Sequence, residues 1–384
     1  VNRMLLDAVR RRASDIHVEP FEDRLQIRFR IDGVLYEQAP PAKHLESALV
    51  SRLKVMARLD IAEKRLPQDG MAKVRVGERE IDIRLSTVPV AEGERVVLRL
   101  LNRDTLLLPL NQLGMPARVE QQFKELLQTP HGVVLVTGPT GSGKTTTLYA
   151  ALQCLDTQHR NILTIEDPIE YQLPGIGQIQ VKPKIGLTFA HGLRHILRQD
   201  PDVVFVGEIR DVETAEIAIR AALTGHLVFS TLHTNDSIAA VVRLLDMGIE
   251  PYLLGSALRG SMAQRLVRKL CPACREEVKA SPRDLDFLGA AGRSLEGQTV
   301  WRARGCSACL GGYRDRTGLY ELLLVDSELQ EAIRRRDDSS ALRALAERQG
   351  WHGLVEDGVA KVREGVTSLD ELARITGGGR GARA

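Results

Sequence analysis

A glycine-rich segment of the chain has the residue types and spacing that bind the phosphates of a nucleotide. It fits the pattern G-x-x-x-x-G-K-[ST] and comprises, with the threonine that follows it, Gly138, Pro139, Thr140, Gly141, Ser142, Gly143, Lys144, Thr145 and Thr146. Glycines let backbone N–H groups turn toward phosphate oxygens, and the start of a helix adds positive potential. Lys144 can then reach the β- and γ-phosphates, and the Thr145 hydroxyl can bind Mg²⁺. The alternative, a chance match in a flexible loop, fits poorly with the apolar run Val133–Thr137 before it and the helix-forming run after it.

An acidic segment follows a second apolar run. The run is Asn161–Ile165, and the segment begins at Glu166 and ends at Glu170. Carboxylates at the end of a strand, beside a phosphate-binding loop, suit activation of water or ligation of magnesium. A solvated acidic turn explains this segment equally well when it is taken alone.

A third apolar run, Val203–Val206, ends in Gly207 and Glu208. A strand that delivers a carboxylate to the magnesium shell is a recurring part of P-loop ATPases. Many of them carry aspartate at the position of Gly207, so we expect Glu208 to serve magnesium here, through water. The alternative is a surface acid at a strand end.

Two histidines flank a fourth apolar run, Leu227–Ser230. His226 precedes the run, and His233 follows it. Taken singly, each is better explained as a structural histidine. Together, at the edge of a nucleotide site, they could sense the γ-phosphate by hydrogen bonding.

Four of the five cysteines form two C-x-x-C pairs, Cys271 with Cys274 and Cys306 with Cys309. Four thiolates in this pattern suit tetrahedral Zn²⁺ with no open coordination position, so we predict a structural site. Metal binding would then contribute on the order of 10 kcal/mol to ordering the segment. The alternatives are a redox pair, reduced buried thiols, or a nucleic-acid-binding zinc ribbon, although the intervening residues are not notably basic. The fifth cysteine, Cys154, is predicted to lie in the core.

The elements that position these residues alternate between apolar strands, turns and helices, which predicts a parallel sheet covered by helices. The predicted fold class is α/β: a RecA-like P-loop NTPase domain, preceded by a small α+β domain and followed by a zinc-binding insert and a helical region. In the first domain, Leu25–Ile31 alternates as a half-buried strand, Asp32-Gly33 signals a hairpin, and Arg95–Leu101 places two arginines on one strand face. The predicted boundaries are 1–104 for the first domain, 105–116 for a linker, 117–270 for the ATPase core, 271–318 for the cysteine insert, 319–376 for the helical region and 377–384 for a disordered tail.

The composition argues against two classes of function, nucleic-acid binding and membrane spanning. The chain has 384 residues and a net charge of +3, so no strong basic field points to nucleic acid. No apolar run approaches the roughly 20 residues that span a bilayer, and no signal peptide is visible. We therefore expect a cytoplasmic protein. Because the chain begins with valine, we also expect that its natural N-terminus lies further upstream.

These motifs, in this order, resemble the secretion ATPase superfamily of type II secretion and type IV pilus motors. The resemblance covers nearly the whole chain and includes Ala13–His17 and Arg65–Gly70. The segments Gly143–Tyr149, Thr164–Tyr171 and Asp246–Pro251 are most similar to the type II branch. The cysteine insert argues against pilus retraction ATPases, which generally lack it, but not against pilus assembly ATPases.

The resemblance implies that Glu170 polarises the attacking water and that Glu208 holds Mg²⁺ through water. It implies that arginines reach the phosphates: by motif position Arg84, Arg95 and Arg99, with Arg194 and Arg210 as weaker candidates. A surface salt-bridge stripe is the alternative for each.

The resemblance further implies that ATP binds between the two domains of one subunit of a homo-hexamer. The ring would act on inner-membrane platform proteins from the cytoplasmic face and would bind no nucleic acid. Other functions left open are a pilus assembly motor, a nucleic-acid translocase, and a scaffold that binds nucleotide without hydrolysing it.

Overall fold

A computed structural model describes residues 1–77, 79–102 and 108–377 of the chain. The chain divides into two compact units, Val1–Leu106 and Leu107–Ala384. Residues 103–107, which contain the start of the predicted linker, and residues 378–384 of the predicted tail lie outside the described residues.

The first unit is a six-stranded antiparallel sheet with two helices. Its strand order is β3-β2-β1-β6-β5-β4. Its elements are α1 (Asn2–Arg10), β1 (Asp15–Pro20), β2 (Leu25–Ile31), β3 (Val34–Gln38), α2 (Glu46–Met56), β4 (Gln68–Val76), β5 (Arg79–Val90) and β6 (Gly93–Asn102).

Strand β2 buries every second residue, as its alternating sequence predicts. The hairpin into β3 turns at Asp32 and Gly33, whose φ angles are 50° and 83°. Two consecutive positive φ angles match the right-handed twist of the flanking strands, which explains the Asp-Gly pair.

The second unit begins with the parallel strands and their helices. These elements are α3 (Ala117–Leu127), β7 (Gly132–Thr137), α4 (Lys144–Gln153), β8 (Ile162–Glu166), β9 (Gly177–Gln180), α5 (Phe189–Ile196), β10 (Val203–Val206), α6 (Val212–Leu223), β11 (Leu227–Leu232), α7 (Ser237–Asp246), α8 (Pro251–Ala257) and β12 (Leu258–Leu270). The four apolar runs predicted as strands are β7, β8, β10 and β11.

The rest of the second unit contains the cysteine segment, one long strand and four helices that follow it. These elements are β13 (Glu276–Lys279), α9 (Pro282–Leu285), β14 (Thr299–Arg302), β15 (Tyr313–Leu324), α10 (Ser327–Arg334), α11 (Ser339–Arg348), α12 (Leu354–Arg363) and α13 (Leu369–Thr376).

The main sheet has the order β15-β12-β7-β11-β10-β8-β9, and only β15 runs antiparallel to its neighbour. Successive residues of β7 alternate between two apolar clusters: Val133 and Leu135 pack into one, and Val134 and Val136 pack into the other. Burial on both faces explains why these strands are continuous apolar runs. The carboxyl ends of the parallel strands meet at one edge of the sheet, which therefore gathers the loops that follow them.

The structure corrects two predictions. The helical region predicted from residue 319 begins at Ser327, because Tyr313–Leu324 is a strand that pairs with β12 along its length. Cys154, predicted to lie in the core, is exposed at the end of α4. In the helices of this region, Leu329, Ile333, Leu342 and Leu345 are buried and Leu354 is half-buried.

None of the helices within the described residues has the length and apolar composition needed to cross a membrane.

Candidate nucleotide site and cysteine cluster

The phosphate-binding loop lies between the end of β7 and the start of α4. Gly138, Gly141 and Gly143 have φ angles of 146°, 77° and 90°, in the region that favours glycine. A Cβ at Gly138 would lie 2.4 Å from the backbone oxygen of Gln264, and a Cβ at Gly143 would lie 2.7 Å from its side-chain nitrogen. Close contact with Gln264, on β12, therefore requires glycine at both positions.

The loop has polar groups that suit a phosphate. Lys144 is buried, and its Nζ donates to the carbonyl oxygens of Gly138 at 2.8 Å and Pro139 at 3.1 Å. Within the described residues, the buried Ser142 hydroxyl has no hydrogen-bond partner. Thr145 is half-buried and Thr146 is exposed at the first turn of α4. A backbone cradle with a buried lysine and an unpaired hydroxyl fits the phosphates of ATP.

Glu170 lies beside this helix, held there by Glu166, the first residue of the acidic segment, and by Tyr149, which sequence reasoning did not assign. Glu166, at the end of β8, is buried and accepts hydrogen bonds from Tyr149 and from Thr164. The Tyr149 hydroxyl in turn accepts a hydrogen bond from the backbone N–H of Glu170 at 3.3 Å. Burial, followed by the bond to Glu166, raises the pKa of Tyr149 and keeps it neutral. The only sequence signal for this contact was the tyrosine itself, on the helix after the loop, because a tyrosine hydroxyl usually finds a hydrogen-bond partner when the ring is buried.

Glu208 sits at the same edge of the sheet. Its carboxylate contacts the Arg210 guanidinium and lies 3.2 Å from His233 Nε2. The bond to Glu208 raises the pKa of Arg210. A Cβ at Gly207 would lie 3.2 Å from the Ile165 backbone oxygen, so the close approach of β8 favours glycine where other P-loop ATPases have aspartate.

His226 lies at the opposite edge of the sheet. It precedes β11, whose first residue pairs with Gly132 at the start of β7, whereas the phosphate loop follows the end of β7. Its Nδ1 lies 2.8 Å from the Ala221 carbonyl oxygen at the end of α6. The prediction that both histidines border the nucleotide is therefore corrected. Of the two, only His233 lies at the edge of the sheet that carries this chain's phosphate loop.

Three predicted arginines share one face of the first unit's sheet. Arg84 lies directly opposite Arg99 across β5 and β6. Arg99 pairs with Asp15 at 3.0 Å, and Arg95 pairs with Glu19 at 2.8 Å. We call the set Arg28, Arg30, Arg84, Arg95 and Arg99 the arginine face. Carboxylates hold Arg28, Arg30, Arg95 and Arg99 in place, and the role of Arg84, Arg95 and Arg99 at the phosphates stays a prediction.

Arg194, a weaker candidate, lies on α5 of the second unit. Its Nη2 donates to Glu213 at 2.6 Å, and both side chains are largely exposed. An exposed pair of this kind contributes little to stability.

The four cysteines of the insert form one cluster. The sulfur atoms of Cys271, Cys274, Cys306 and Cys309 all lie within 4.8 Å of one another. The separations are 4.0 Å for Cys271 and Cys306 and 3.7 Å for Cys274 and Cys309. A tetrahedral metal with bonds of about 2.3 Å to sulfur would separate its ligands by about 3.8 Å, so the cluster fits such an ion.

Nucleotide binding is expected to take up protons at about pH 9. Burial lowers the pKa of Lys144 to about 8, against the smaller opposing effect of Glu208. Phosphates restore the charged form, so a lysine that is largely neutral at about pH 9 gains a proton when ADP binds, whereas near pH 7 it is already charged. Calorimetric titration in buffers of different ionisation enthalpy measures this uptake.

Lys144→Arg is the control, because arginine stays charged at both pH values. Equal uptake by that variant, or no uptake by the native chain at about pH 9, would contradict the assignment.

Comparison with known proteins places the chain among secretion proteins. It is 55% identical over 377 residues to the type II secretion system ATPase E of Vibrio cholerae, covering 98% of this chain and 74% of that relative. It is 56% identical over 377 residues to the type II secretion system protein E of Pseudomonas aeruginosa, with the same coverage.

The fold also matches a solved structure. The pilus retraction motor PilT with bound ADP superposes with a TM-score of 0.64 at 27% identity, covering 98% of this chain and 96% of that one. The predicted fold class is thereby confirmed. The sequence profile of the family described as "Type II/IV secretion system protein" matches residues 1–374. The chain therefore belongs to the type II/IV secretion system protein family.

Proposed function

We propose that this chain is an ATP-hydrolysing motor that powers protein export by a type II secretion system through assembly of a pseudopilus. The observation that carries the proposal is the phosphate loop with Glu208 near Lys144 and Glu170 beside the helix that follows, in a chain more than half identical to type II secretion proteins along 98% of its length.

Each group at the sheet edge has a distinct task. Lys144 binds the β- and γ-phosphates and stabilises the charge that develops during transfer. Glu170 orients and polarises the attacking water. Thr145 and Glu208 hold Mg²⁺, Glu208 through water, and the ion supplies charge neutralisation at the phosphates. His233, next to Glu208, senses the γ-phosphate.

Arginines complete the charge at the phosphates. We assign this to Arg84, Arg95 and Arg99 of the arginine face and to Arg210. Carboxylate partners hold Arg95, Arg99 and Arg210 in place, so less side-chain freedom is lost when these three bind an anion.

The cysteine cluster holds Zn²⁺, and the motor works as a homo-hexamer at the cytoplasmic face of the inner membrane, on platform proteins of the secretion machine. Four thiolates with no other ligand support a structural rather than a catalytic ion. Membership of the secretion family supports the proposed hexamer, platform and location.

Glu170→Gln is expected to lower kcat by about 10²- to 10⁴-fold while ATP still binds, because the amide cannot accept a proton from water. Steady-state hydrolysis and binding of a fluorescent ATP analogue measure the two effects. Glu216→Gln, an exposed glutamate on α6, is the matched control. Unchanged turnover in Glu170→Gln would show that Glu170 is not the base that accepts a proton from water.

The machine that the motor serves is tested in the source bacterium with Lys144→Ala in the native gene. Exoenzymes in the culture medium and pili on the cell surface are measured in parallel. We expect secretion to be lost and pili to stay normal. Lost pili with normal secretion would instead assign the enzyme to pilus assembly, the alternative that the cysteine insert leaves open.

A further inference from the structure

Glu321 is a buried carboxylate whose two oxygens each meet the start of a different helix. It lies on β15 with 3% of its surface exposed. Its Oε1 accepts from the backbone N–H of Ser237, the first residue of α7, at 2.5 Å. Its Oε2 accepts from the backbone N–H of Leu354, the first residue of α12, at 3.0 Å. The first residues of two helices that are far apart in sequence thus donate hydrogen bonds to the same side chain.

Helix ends stabilise this carboxylate. Burial raises the pKa of Glu321, and the hydrogen bonds from Ser237 and Leu354 oppose that shift. The N-terminus of a helix carries partial positive charge and suits an anion. The residue that precedes α12 is Gly353, which has no side chain to cap the helix, and Glu321 takes that task.

Glu321 also lies in the same row of the sheet as the root of the phosphate loop. It pairs with Ala263 on β12, Ala263 pairs with Thr137 on β7, and Thr137 pairs with Leu232 on β11. Each step across the sheet is about 5 Å. Thr137 directly precedes Gly138, and Leu232 directly precedes His233.

Hydrogen bonds join this row to the loop between β11 and α7. The Thr137 hydroxyl accepts from the backbone N–H of Thr234 at 2.9 Å. The Thr234 hydroxyl donates to the Asp236 carbonyl oxygen at 3.1 Å, and the next N–H along the chain, that of Ser237, donates to Glu321. The loop that carries His233 beside Glu208 is therefore anchored at one end to Thr137, the last residue before the phosphate loop, and at the other end to Glu321.

We propose that Glu321 is a positioning residue for ATP hydrolysis, which holds the β11–α7 loop in place and joins it to the first turn of α12 in the C-terminal helical region. The inference rests on the proposed ATPase function. Because one carboxylate bonds both helix starts, a shift of the loop on contact with the γ-phosphate changes the bond at α12 as well. The nucleotide site is thereby connected to the helices that follow the sheet.

Glu321→Gln in the full chain tests the assignment. Glutamine offers one acceptor oxygen, so its NH₂ group faces one of the two N–H donors and that bond is lost. We expect kcat to fall about 10- to 100-fold while KM for ATP stays within about threefold, because positioning rather than binding is affected. Glu356→Gln is the matched control, since it removes an exposed carboxylate from the first turn of the same helix and should keep native turnover.

Turnover of Glu321→Gln within twofold of the native rate, or an equal loss in Glu356→Gln, overturns the proposal. Hydrogen exchange on the native full chain, with and without a non-hydrolysable ATP analogue, tests the link with no substitution and decides the matter if the variant does not fold. Joint protection of the β11–α7 loop and the first turn of α12 supports it, and protection of the loop alone overturns it.

The two proposals fail separately. A native chain that hydrolyses no ATP would end the proposed function, while exchange measured with the non-hydrolysable ATP analogue, which needs no turnover, would still show whether the two segments respond together.

Discussion

Lys144→Ala is expected to lower the rate of ATP hydrolysis by at least about 10²- to 10³-fold, the cost of removing one preorganised donor from developing charge. Two features of the structure support a large effect. Lys144 is buried against the carbonyl oxygens of the loop, and its lowered pKa shows that the folded chain holds this charge at a cost until an anion arrives. Steady-state phosphate release by the purified chain measures the loss.

The control for this substitution is Lys184→Ala, which removes an exposed lysine from the same unit. Thermal unfolding of both variants should match the native chain, since neither removes an apolar core residue. Normal hydrolysis by Lys144→Ala would show that the phosphate loop is not the site of the reaction.

Removal of metal from the cysteine cluster is expected to unfold the insert and to leave the main sheet paired. The insert has a two-stranded sheet and short helices of its own, which are too few to fold alone. Metal binding, which contributes on the order of 10 kcal/mol to folding, therefore determines whether the insert is ordered. Cys309→Ser should lose stoichiometric zinc and become open to proteolysis between Cys274 and Cys306. Metal analysis and limited proteolysis with mass spectrometry measure both effects.

Cys154→Ser is the matched control, because Cys154 is a cysteine outside the cluster. It should keep the metal and the native cleavage pattern. A Cys309→Ser chain that retains one zinc per chain, or an insert that stays resistant after the metal is lost, would contradict a structural metal site.

Local patterns predicted the parts of the site that lie next to each other in sequence. The phosphate loop and Glu208 each follow a continuous apolar run, and the two runs became the parallel strands β7 and β10 on either side of β11, with their carboxyl ends at the same edge of the sheet. Residues 319–325 misled because a short, mostly apolar segment, interrupted here by Glu321, is compatible with either a helix or a buried strand. Pairing with β12 decided the outcome, and that contact is invisible to local reasoning.

Contacts between side chains that are distant in sequence could not be predicted from the sequence. Tyr149 meets Glu166, and Gln264 meets the glycines of the loop, only after the sheet has formed. The position of His226 could have been predicted from the sequence, because a residue that precedes a parallel strand lies at the edge of the sheet opposite to a residue that follows it.

The insert lies between two strands that pair with each other, and this arrangement has a consequence for how the motor changes in evolution. Leu270 and Tyr313, at the ends of β12 and β15, are partners in the ladder, so a short hairpin turn could replace everything between them without moving the sheet. The insert also covers Val359, Val362 and Leu372 on the last helices, together with its own Leu285, Leu295 and Val300. A lineage that loses the insert must therefore also change that apolar surface, and the two regions should be gained, lost and exchanged between motors as a single module.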